Sequence, residues 1–79
     1  MAKYIKFQIE ETVHSVTKIN DDGSALQVML FADQPAIIFY SEILDAWSED
    51  VEATKEEFID FYQKVNTMIL RIIMKEMLS

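Results

Sequence analysis

Apolar and polar residues alternate near the start of the chain. Ile5, Phe7 and Ile9 are interleaved with Lys6, Gln8 and Glu10. A period of two predicts a strand with one buried face. Glu10-Glu11-Thr12 interrupts the pattern as a bend or bulge would. Val13 to Ile19 is rich in β-branched residues and reads as strand again. Asn20-Asp21-Asp22-Gly23-Ser24 is a turn, because Asn, Asp and Gly tolerate positive φ. Ala25 to Phe31 follows with Leu26, Val28 and Leu30 on one face, so the two runs form a hairpin.

A second turn lies at Asp33-Gln34-Pro35, and Ala36-Ile37-Ile38-Phe39-Tyr40 has strand composition. A helix starting at Pro35 is the rival reading, with Ala36, Tyr40, Ile43 and Trp47 on one face. It leaves Ile38 and Phe39 pointing away from that face, so strand is preferred, followed by a short acidic helix from about Ser41 to Trp47. Thr54-Lys55-Glu56-Glu57 is a capping box that opens a second helix. Nothing stops this helix before Ser79, because no Gly or Pro intervenes.

Phe58, Phe61, Tyr62, Val65, Met68, Ile69, Ile72 and Ile73 make one apolar stripe on it. Leu70, Met74, Met77 and Leu78 spread the apolar surface past that stripe. A helix lying on one small sheet needs only one stripe. The surplus calls for a second surface, and a homodimer through Leu70, Met74, Met77 and Leu78 is the expected one. The pattern as a whole predicts an α+β fold. It consists of an antiparallel sheet of three or four strands connected as a meander, a short acidic helix, and a long C-terminal helix packed on one face.

Length makes the second surface more pressing. Seventy-nine residues form a single domain, residues 1–79, and a domain of this size buries only about 60% of the surface its unfolded chain exposes. With no Cys and one His, neither a disulfide nor a zinc site can supplement the core. A composition that is 51% hydrophobic provides the material for one. The alternating N-terminus has no continuous apolar run of the kind a signal peptide needs, and the longest apolar run, near 68–74, is interrupted by Arg71. These features, with the absence of Cys, predict a cytoplasmic protein with no membrane span.

Charge then separates the function classes. Residues 42–60 hold eight acids (Glu42, Asp45, Glu49, Asp50, Glu52, Glu56, Glu57, Asp60) and one base, Lys55. That stretch sums to −7, and so does the whole chain, so the remainder is neutral. An acidic belt repels phosphate and attracts basic protein surfaces. Direct nucleic-acid binding is disfavoured, since Lys3, Lys6 and Lys18 with Tyr4 make only a faint basic patch. A chain with one Gly builds no phosphate loop.

Candidate chemistry is sparse. His14-Ser15 is the sole His–Ser pair, and neighbours on a regular strand point to opposite faces. Asn20, Asp22 and Ser24 are spaced like the start of a calcium loop, but Phe31 stands where the bidentate acid belongs. No catalytic residue, metal site or cofactor is expected. The expected function is a non-enzymatic binding module, an inhibitor or adaptor, docking through Glu42, Asp45, Glu49, Asp50, Glu52 and Glu56 on a basic partner. The sharpest version is a nucleic-acid-binding surface blocked by carboxylates, as small acidic phage-type inhibitors do, an analogy of size and charge alone. The alternative is a homo-oligomeric assembly or chaperone-like protein acting through its hydrophobic C-terminal helix.

Overall fold

A computed structural model describes residues 1–42 and 50–79. They form five strands and one helix: β1 (Lys3–Ile9), β2 (Thr12–Ile19), β3 (Ala25–Phe31), β4 (Gln34–Tyr40), β5 (Val51–Glu52) and α1 (Lys55–Leu78). The sheet is antiparallel throughout, in the order β4-β3-β2-β1-β5. The first four strands are a meander, as the alternation predicts, and residues 34–40 are strand rather than helix. The fifth strand was not expected. Val51 and Glu52 return to pair with Lys6 and Ile5 at the far edge, which a run of hairpins does not anticipate. The short helix expected over 41–47 falls outside the described residues, apart from a bend at Ser41 and Glu42.

Each turn shows why its residues reverse the chain. Gly23 takes φ +89°, and the Asp22 carboxylate accepts from the Ser24 amide at 2.9 Å and its hydroxyl at 2.6 Å. Asn20 Nδ2 donates to Ser24 Oγ at 3.0 Å. The side chains that resemble a calcium loop are thus spent on the turn itself. The other hairpins close on two residues each. Ala32 and Asp33 both have positive φ (48° and 63°), the geometry of a type I′ turn, which matches the twist of the flanking strands.

Pairing assigns the faces. Tyr4, Lys18, Leu26 and Phe39 share one row, and Lys6, Val16, Val28 and Ile37 the next. Phe58 and Val65 of α1 are buried against Val16 and Val28 of these rows, with Ala53 completing the cluster. Tyr4, Val13, Leu26, Leu30, Ile37, Phe61 and Ile69 pack around them. Ile5, Thr17 and Gln27 form a buried row on the opposite face.

Ala32 generates a stability prediction. A left-handed conformation costs an L-residue with a Cβ roughly 1–2 kcal/mol, part of which Gly regains at the expense of backbone entropy. Ala32→Gly should raise unfolding free energy by roughly 0.5–1 kcal/mol in a urea titration. A fall in the midpoint would show that the hairpin does not hold Ala32 at positive φ.

Candidate functional site

The chain builds two surfaces at opposite ends of α1. The first begins with the helix start. Thr54 is the N-cap: its hydroxyl accepts from the Glu57 amide at 3.1 Å, and the Glu57 carboxylate accepts from the Thr54 amide at 3.1 Å. The capping box read from the sequence is therefore fully formed. Glu57 also accepts from the Lys6 ammonium, which ties the first turn of α1 to β1. The Lys6 hydrogen bond, followed by the Thr54 amide, holds the Glu57 carboxyl below the usual carboxylate range. The ring of Tyr4 lies 5.6 Å from that of Phe58 and completes the anchor.

Around this anchor the acids do not act alike. Glu52, on β5, and Glu56, in the first turn, are exposed. Glu52 pairs with Ile5, so it lies in a row on the face opposite α1, while Glu56 rides on the helix. Glu52 and Glu56 thus flank one edge of the sheet from different sides. Asp50, expected among the docking acids, is half-buried. Its Oδ2 is buried with no hydrogen-bond partner among the described residues, and burial pushes its carboxyl up. Glu42 is exposed but follows β4, at the other edge of the sheet. Asp45 and Glu49 lie outside the described residues.

The second surface is the far end of α1. Every residue from Leu70 to Ser79 is exposed. Leu70, Ile72, Ile73, Met74, Met77 and Leu78 leave 47–83% of their surface uncovered. The four residues expected at an interface, Leu70, Met74, Met77 and Leu78, are therefore together and open. Ile72 and Ile73, read from the sequence as part of the core stripe, join them, because the stripe runs on where the sheet has ended.

Two smaller features complete the inventory. His14 is the extra residue of a bulge that shifts the register between Phe7 and Gln8. Its ring stacks on Phe31 at 5.0 Å and lies 6.2 Å from Phe7, on the face where Ser15 also lies. The strand alternation that would separate His14 from Ser15 fails at the bulge. Even so, among the described residues no hydrogen bond joins the two. An open cleft of about 290 Å³ lies between β2 and α1, with Val13, Val16 and Phe61 lining it and Glu57, Asp60 and Lys64 supplying its charged groups. Among the described residues no group of three or more metal-ligating side chains occurs, and no helix is long and apolar enough to cross a membrane. Comparison of the chain with protein-family models, with curated proteins and with solved structures gives no significant match.

The anchor and the buried acid yield pH predictions of opposite sign. Glu57 is held low, so its contribution is present above its unfolded value and lost as pH falls through the folded one. Asp50 is held high, so ionising it costs stability as pH rises through its folded value. At pH 7, Glu57→Gln should lower the thermal midpoint and Asp50→Asn raise it, and both differences should shrink towards pH 2. Thr54→Ala should cost about 1 kcal/mol. Equal behaviour of the two acid variants across pH would contradict this account.

Proposed function

We propose that this chain is a non-enzymatic protein-binding module with two ends of different chemistry. Its acidic edge meets a basic surface on another protein, and its apolar helix end assembles the module. The observation that carries this reading is the separation itself. Exposed, unpaired Glu52 and Glu56 sit where α1 begins, and the exposed apolar cluster sits where it ends. Lys6–Glu57 is the one side-chain ion pair among the described residues, so Glu52 and Glu56 remain available to a partner.

The acidic edge acts through the summed field. Carboxylates near a helix N-terminus are held there by the helix dipole, at little cost to the fold. They steer a basic partner and raise its association rate, an effect that salt screens. A basic groove that ordinarily holds nucleic acid is a suitable target, because carboxylates can stand where phosphates would. The assembly reading has its own support in the bare apolar surface at the end of α1, and it places the chain among self-associating proteins.

Glu52→Gln with Glu56→Gln should abolish salt-sensitive capture of the native partner while leaving thermal stability nearly unchanged, since exposed charges contribute at most about 1 kcal/mol each. Glu42→Gln, at the other edge, should leave capture intact. Affinity capture with the three proteins side by side, eluted by a salt gradient, makes the comparison. If the double variant retains its partner to the same salt concentration as the original, the acidic edge is not the docking surface.

A further inference from the structure

We propose that the apolar end is filled by a second copy of this chain, joined edge to edge through β4, so that each overhanging helix lies above its partner's sheet. This inference deepens the reading above and rests on it only for the apolar end.

The first observation is the edge. β4 is a terminal strand, and among the described residues no strand pairs with its outer side. Its sequence, Gln34 to Tyr40, carries no charge. Free edges are usually blunted by Lys or other charges, and an uncharged apolar edge is a template for another strand. The two-residue loop makes Phe31 and Gln34 a hydrogen-bonded pair, and the pairing alternates from there. Gln34, Ala36, Ile38 and Tyr40 therefore turn their backbone groups towards β3. Pro35, Ile37 and Phe39 turn theirs outward. Proline has no N–H, and Pro35 sits where β3 asks for none.

The outward amides are those of Ile37 and Phe39. An antiparallel copy related by a two-fold axis at Ile38 pairs Ile37 with Phe39 of the second copy and Phe39 with its Ile37. All of these amides and carbonyls are then satisfied, and Pro35 costs the central ladder nothing.

The second observation is the direction of α1. It starts over β1, where Glu57 meets Lys6 and Phe58 meets Tyr4, and it packs on β2, β3 and β4. It therefore runs across the strands towards the β4 edge. Three strand spacings, about 14 Å, separate β1 from β4. Twenty-four helical residues extend about 36 Å. Even on an oblique path the helix outruns that span, and its residues from Leu70 onwards, all exposed, extend past the sheet on the side where β4 is open.

A two-fold axis perpendicular to the sheet keeps the helices of both copies on one side, antiparallel to each other. The overhang of each then arrives above the edge row of its partner. Phe39 stands in that row, on the core face of the sheet, yet 64% exposed. Leu70, Ile73 and Met77, spaced by three and four residues, form a line along the helix. That line is free to meet the neighbouring helix, so the pairing accounts for the width of the apolar surface as well as its position.

The third observation is area. The six exposed helix residues alone offer on the order of 600 Å² per copy, against about 800 Å² per partner in a stable interface. Phe39 and Ile38, both exposed, add to it. A lone surface of that size is at the upper limit for a monomer.

Sedimentation equilibrium of the full chain tests the proposal. The original should be a dimer at micromolar concentration. Phe39→Lys places two like charges at the centre of the ladder and should weaken the dimer at least about tenfold. Because Phe39 is largely exposed, the monomer should keep its circular dichroism spectrum. Phe39→Pro removes an outward amide that β3 does not use, at a side chain that is largely exposed, and should have the same effect. Met74→Glu with Met77→Glu should also dissociate the dimer while leaving a folded monomer.

If the β4 variants remain dimers and only the helix variants dissociate, strand pairing is wrong although the apolar end still assembles the module. A monomer at about 100 µM for the original overturns both the dimer and the assembly role of the helix, and leaves the acidic edge untouched.

Discussion

The structure depends on a mismatch of lengths. A sheet of about five strands offers a helix a platform roughly 19 Å across between its outer strands. The helix is nearly twice that long, and it is apolar to its end. Its first half is held by three different forces at one place: a capping box, an ion pair from β1 and the burial of Phe58. That anchoring fixes where the helix begins and therefore where it must run out of support. Val65 is completely buried, and Ile72, seven residues later on the same face of the helix, is about half exposed. The change marks the limit of the sheet.

The same geometry separates the functions assigned to the two ends. Glu52, Glu56 and Glu57 stand where the helix dipole is positive, on β5 and in the first turn of α1. The apolar residues gather where the helix has left the sheet. A small domain with a marginal core gains from covering that end, and the uncharged β4 edge beside it offers the means. If two copies join there, the acidic edges are carried to the outer ends of a ten-stranded sheet. The assembled module then presents its acidic surface twice, and a partner with repeated basic sites would bind it more tightly than one copy could.

Much of the sheet was legible in the sequence because its signals are local. The alternation around Phe7, the Asp-Gly turn and the Thr54 to Glu57 box each act within a few residues. Three features were hidden for a common reason. β5 is two residues long in an acidic stretch, and only its contact with β1 makes it a strand. The bulge at His14 depends on the register of a neighbour. Asp50 sits in a run of acids that reads as solvated, yet the approach to β5 turns it inward. The candidate surfaces divide in the same way. Leu70, Met74, Met77 and Leu78 could be picked out as surplus from helical periodicity. Ile72 and Ile73 could not, since periodicity assigns a face but does not say how far the sheet extends. Glu42 and Glu52 are ten residues apart in sequence, and nothing in that spacing shows that they stand at opposite edges.

The central claim is that the free edge and the free helix end face the same neighbour. The most direct measurement is an isotope-filtered nuclear Overhauser experiment on an equal mixture of labelled and unlabelled chain. The account predicts a contact between the Hα of Ile38 in one copy and the Hα of Ile38 in the other, together with contacts from Met77 to Phe39 across copies. Contacts between copies that arise from the helix alone, or none at concentrations where the chain remains a monomer, would contradict it.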